Sequence, residues 1–67
     1  MNMEEIKRIL MECRYLISLN KSYNDLSKIL DIDKKTVYND LNYRLKDYDK
    51  ELYQRVSKIL KKDNKYS

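Results

Sequence analysis

Hydrophobic positions recur at a helical period over four stretches of the chain, and polar breaks separate them, so four helices are predicted. The first runs from about Met3 to Leu19, where Ile6, Leu10, Cys13 and Ile17 make one apolar stripe. Asn2 stands at its N-cap with Glu5 three residues on, a variant of the capping box, and Glu4 and Glu5 sit where the helix dipole favours anions. "NKS" breaks the pattern. Ser22 then caps a short second helix, about Tyr23 to Leu30, with Asp25 in the reciprocal position and Tyr23, Leu26, Ile29 and Leu30 on one side. "DID" is the next connection, and Asp33 caps a third helix from Lys34 to about Lys46, in which Val37, Leu41 and Leu45 step by four and face inward. Asp49 of "DYD" caps a fourth helix, Lys50 to about Lys62, with Leu52, Val56, Ile59 and Leu60 as its stripe, and the tail 63–67 is expected to fray.

No heptad runs across the breaks at 20–22, 31–33 and 47–49, so a packed cluster is expected instead of a continuous coiled coil. Composition agrees. The chain has 67 residues, enough for one small domain with a thin core, and neither the Gly nor the Pro on which tight β-turns lean. High charge raises the question of disorder, but the periodic apolar residues confine that to the ends. The predicted fold class is all-α: a small helical domain of four helices, residues 1–67, containing a helix-turn-helix.

One cysteine and no histidine exclude a disulfide within the chain and a Cys/His zinc site, and they fit a reduced, cytoplasmic setting. Cys13, on the apolar stripe, reads as a small buried hydrophobe. The start "MNMEEIKRIL" is acidic where a signal peptide is basic, and apolar runs reach three residues, so neither a leader nor a membrane span is expected. Without His, a Gly-rich loop or clustered carboxylates there is little from which to build a catalytic site, and no enzyme activity, cofactor or metal is expected.

Charge changes the picture through its distribution. The formal net charge is +4; residues 1–20 are neutral, and residues 34–46 carry four Lys/Arg against one Asp. On its own this is a solvated lysine face. It coincides, however, with two short helices joined by a three-residue turn, the second of them basic at its start, which is the helix-turn-helix pattern. Leu26, Leu30, Ile32 and Val37 occupy its apolar places, and small Ser27 stands where the helices meet.

Lys34 and Lys35 at a helix start oppose the dipole, which makes sense where phosphates supply the missing negative charge. One turn later the same face presents Tyr38, Asn39, Asn42 and Tyr43. Asn pairs bidentately with adenine in the major groove, and Tyr reaches a phosphate or a thymine methyl. The expected partner is therefore double-stranded DNA, with Lys35, Tyr38 and Asn39 at base edges and Lys34, Thr36 and Asn42 in backbone or mixed contacts. The rival reading is a helical adaptor that binds protein and not DNA. Asp40 with Arg44 reads as an i,i+4 surface or hinge salt bridge.

The stretch "SYNDLSKILDIDKKTVYNDLNYRLKDYDKELYQRVSKIL" resembles the stage III sporulation protein D family of transcriptional regulators of spore-forming bacteria. The similarity runs without gaps from about Arg14 to Leu60, through Tyr15, Leu26, Ile32, Lys34, Thr36, Val37, Asp40, Leu41, Arg44, Leu45, Leu52, Val56, Ile59 and Leu60. It implies a sequence-specific DNA-binding regulator of transcription. The recognition helix would begin at Lys34 and lie in the major groove, and a basic C-terminal helix would assist on the backbone. This sequence has Asp31 where the family usually has Gly and Ser27 where it has Ala. It ends at Ser67 where members continue into a basic tail, and Lys58, Lys61, Lys62 and Lys65 are the candidates for a reduced version. Partners would be DNA and the transcription machinery. A homodimer on two half-sites suits a domain this small, although no dimer stripe is visible.

Overall fold

The computed structural model describes residues 1–63, the side chains of 61–63 excepted. Its order is α1 (Met3–Leu19), α2 (Tyr23–Ile29), α3 (Lys34–Asn39), a π-helical segment (Asp40–Arg44), α4 (Leu45–Tyr48) and α5 (Lys50–Asp63). No strand occurs among the described residues. From Lys34 to Tyr48 the helical run is continuous, so the fold is the expected all-α cluster of four helical rods, the third interrupted by a π turn.

Three local signals set the helix starts as expected. Asn2 accepts from the Glu5 amide at 2.8 Å. Ser22 and Asp25 form the full capping box. Asp49 accepts from the Leu52 amide at 3.1 Å. Asp33 takes the N-cap position with extended backbone, but its carboxylate makes no capping bond.

One core joins all the rods: Ile9, Cys13 and Leu16 from α1, Tyr23 and Leu26 from α2, then Val37, Leu41, Leu45, Val56 and Leu60. Ile32, from the turn, packs against it as expected. Each fully buried aliphatic side chain here contributes about 1.5–3 kcal/mol of transfer free energy, which a domain this thin cannot spare.

Two expectations are corrected. The apolar stripe of α1 is turned by about one residue: Ile9, Glu12, Cys13 and Leu16 are buried, whereas Leu10 is 40% exposed and Ile6 and Ile17 are half-buried. In α2, Ile29 is 45% exposed and does not share the inward side with Tyr23 and Leu26. Apolar residues flank the α1 stripe on both sides, so its phase is set by what it packs on, and a charged residue, Glu12, takes a core place.

The π turn also departs from the simple helix expected over 34–46. Steps of four advance about 40° past a full turn of an α-helix. Val37, Leu41 and Leu45 are nevertheless all buried. A wider turn between Asp40 and Leu45, closed by the Leu45 amide on the Asp40 carbonyl, takes up that drift.

Candidate nucleic-acid interface

The approach to α3 is built by the end of α2. Leu30 is the C-cap and Asp31 follows in the left-handed conformation, φ 53°. The Ile32 amide donates to the Ser27 carbonyl at 3.0 Å and the Asp31 amide to the Lys28 carbonyl at 3.4 Å. This is a Schellman motif with Asp in the place glycine favours, and Ile32 is the apolar residue that closes it. The turn joins the two helices within four residues, and α2 and α3 pack against each other, in keeping with a helix-turn-helix.

The helical run from Lys34 to Leu45 has an inward and an outward face. Val37, Leu41 and Leu45 are at most 1% exposed. Lys34, Lys35, Tyr38 and Tyr43 are exposed, and Thr36 and Asn39 are half-buried. Tyr43 stands 61% open. Among the described residues neither lysine has an acidic partner, and the Asn39 amide makes no hydrogen bond. These groups are therefore available to something outside the chain.

Tyrosines brace this face. The Tyr38 ring meets buried Tyr23 edge-on at 5.7 Å and Tyr43 at 6.2 Å. Asn42 is half-buried, and its amide group donates both to the Tyr23 hydroxyl at 2.7 Å and to the Tyr38 carbonyl at 2.9 Å. Both donors are thus used inside the chain. A backbone or mixed contact made through that amide group, as expected from sequence, would require breaking an internal bond.

Lys58 is exposed on α5, which packs on α1, the π segment and α4. Lys61 and Lys62 belong to the same helix, but their side chains lie outside the described residues, as does Lys65 altogether.

Behind the face lies a cluster that the sequence did not reveal. Asp40 is fully buried, not a surface residue, and three hydrogen bonds hold its carboxylate. Arg8 of α1 binds it through both arms of its fork, Nε to Oδ2 at 2.8 Å and an η nitrogen to Oδ1 at 2.9 Å. Arg44 adds a third bond to Oδ1 at 2.8 Å. Arg44 also lies 3.9 Å from Glu5. Two arginines therefore face two carboxylates, and Glu12 is a fifth group with no counter-charge left for it.

Glu12 is 0% exposed, and as an ion neither of its oxygens meets a donor; Arg8 Nε stays 3.8 Å away. Burial drives its pKa well above the ordinary carboxylate range, helped by a hydrogen bond to Asp40 and by that residue's charge. Protonated, Glu12 donates to Asp40 and the cluster is neutral. Burial would also raise Asp40, but the bonds from Arg8, Glu12 and Arg44 prevail and hold it below its usual value. The Asp40 bond in turn raises Arg8. Cys13, beside this cluster, is pushed up to about 12, first by burial and then by the charges of Glu12, Asp40 and Asp49.

No group of side chains among the described residues could hold a metal ion, and no helix there is long and apolar enough to cross a membrane.

A small all-α fold with a short turn feeding a basic, aromatic helix face is consistent with a helix-turn-helix domain. The family model for Stage III sporulation protein D matches residues 3–67, and the chain belongs to that family. The family is one of sporulation regulators of transcription that bind DNA, and membership implies the same role here. No curated protein and no solved structure matches the chain.

Proposed function

We propose that residues 1–67 act as one sequence-specific domain for double-stranded DNA in the cytoplasm, with the helical run from Lys34 to Tyr48 as the recognition helix in the major groove. The reading is carried by one observation: Lys34, Lys35 and Tyr38 are exposed, without acidic partners for the lysines, on a helix whose opposite face is sealed in the core. Such a helix is rigidly held and its outward groups are unspent, as base readout requires. Lys35, Tyr38 and Asn39 contact base edges. Lys34 and Thr36 contact the backbone, where phosphates also relieve the unfavourable placement of lysine at a helix start. Tyr43 packs at the rim, and Asn42 acts through its carbonyl oxygen and by holding Tyr38. Lys58, Lys61 and Lys62 of α5 supply sequence-independent attraction to phosphates.

Selection of bound duplexes from a random pool, followed by titration over a salt series, tests this. A defined motif and a Kd that weakens with salt are expected. One motif copy indicates a monomer and an inverted pair a homodimer. Binding to every duplex weaker than about 0.1 mM at physiological salt, the level of poor non-specific binders, would remove the reading in favour of a protein adaptor.

A further inference from the structure

A π turn needs a cause, because it is rare and poorly bonded compared with the α-helix on either side. Here the turn begins at Asp40, whose carbonyl accepts the Leu45 amide, and the carboxylate of the same residue is gripped by Arg8 from across the core. Asp40 sits between Asn39, which completes the first part of the exposed face, and Asn42 and Tyr43, which make up the second. Closing the π turn into an α-helix would rotate everything after it by about 100°, one residue's worth. Asn42 and Tyr43, inside the turn, would take up part of that rotation, which shifts Asn42 from Tyr23 and Tyr43 from Tyr38, contacts now at 2.7 Å and 6.2 Å.

We infer that the Arg8–Asp40 pair, seconded by Arg44, holds the π turn and so sets the rotation of Asn42 and Tyr43 relative to Lys35, Tyr38 and Asn39, which makes Arg8 and Asp40 positioning residues for DNA recognition. This rests on the reading of the helix as the recognition element. Arg8 lies on α1 and half-buried, and it acts through Asp40 and not by contact with DNA. The planar fork of arginine is what the geometry uses. It presents two parallel donors to the two oxygens of one carboxylate, which lysine cannot do while keeping the same charge. The groups facing Asp40 are then Arg8 and Glu12 from α1 and Arg44 from its own segment.

The test is Arg8→Lys in the full chain. Affinity is measured on a selected duplex and on a random duplex, and the Tyr38–Tyr43 contact is followed by nuclear Overhauser effects. With the helical fold retained, random-duplex affinity should stay within about twofold. Preference for the selected duplex should fall by about tenfold, as for loss of the Tyr38 base contact that Asn42 and Tyr43 brace, and the Tyr38–Tyr43 effect should weaken. Preference kept at the wild-type level, or lost while the Tyr38–Tyr43 contact is intact, overturns the inference. If Arg8→Lys does not fold, Arg44→Lys removes the more exposed arm and is judged on the same two readouts. A wild-type chain that prefers no duplex sinks the recognition reading itself, which keeps the two failures apart.

Discussion

Glu12→Gln is the perturbation that most sharply tests the buried cluster. In the folded chain Glu12 keeps its proton, because burial and the neighbouring Asp40 charge disfavour the ion. In the unfolded chain it titrates near 4.5. A group whose folded pKa is raised contributes stability that is whole below the unfolded value and is lost as pH rises towards the folded one. The native state binds one proton more across that window, so stability falls with a slope approaching about 1.4 kcal/mol per pH unit. From about pH 5 to about pH 7 the loss approaches about 2.7 kcal/mol, or roughly 10–20 °C in Tm for a domain of this size. The chain has no histidine, so no other side chain ordinarily titrates between those limits. Asp40, whose pKa is lowered, works in the opposite sense: its contribution is lost only as pH falls below about 3.8. Gln keeps the shape of protonated Glu12 and can donate to Asp40 at every pH. Melting followed by circular dichroism at the two pH values should show the wild type more stable at the lower, and Glu12→Gln nearly flat and more stable than wild type at the higher. Equal slopes in the two proteins, or a wild type that gains stability as pH rises, would refute a neutral Glu12.

Other consequences can be checked on the same material. Asp31→Gly removes a side chain from a left-handed position, φ 53°, and should raise stability by about 0.5–1 kcal/mol in urea unfolding. Leu45→Ala empties a fully buried place where the rods meet and should cost about 2–5 kcal/mol, enough to unfold much of the population at room temperature. Cys13, 3% exposed and with its thiol pushed up to about 12, should react with a thiol reagent only as fast as the chain opens, and at the full rate in denaturant.

What the sequence made legible was local. The caps at Asn2, Ser22 and Asp49 each depend on a residue three positions away, so composition and spacing suffice to find them. The inward stripe Val37, Leu41, Leu45 was plain for the same reason. Its strict step of four also carried an unread signal, since an unbroken α-helix would let that stripe drift. The phase of α1 was not legible, because Ile6, Ile9, Leu10, Leu16 and Ile17 allow more than one apolar face. The other rods select among them, and the phase they impose buries Glu12, which bonds Asp40 as a proton donor. That partnership and the Arg8–Asp40 fork, 32 residues apart, are tertiary facts that no local pattern contains. The candidate interface follows from residue types on one helix, and the structure leaves Lys34, Lys35 and Tyr38 exposed and Asn39 half-buried. It spends the Asn42 amide internally, because a buried tyrosine from α2 lies within reach.

The central claim is that the outward face of the helix beginning at Lys34 reads base pairs. Its most direct measurement is the affinity of wild type, Lys35→Ala and Asn39→Ala for the selected duplex and for random duplex at one fixed salt concentration. The account predicts that each variant loses about 1–3 kcal/mol on the selected duplex and far less on random DNA. Equal losses on both, or none on either, would contradict it.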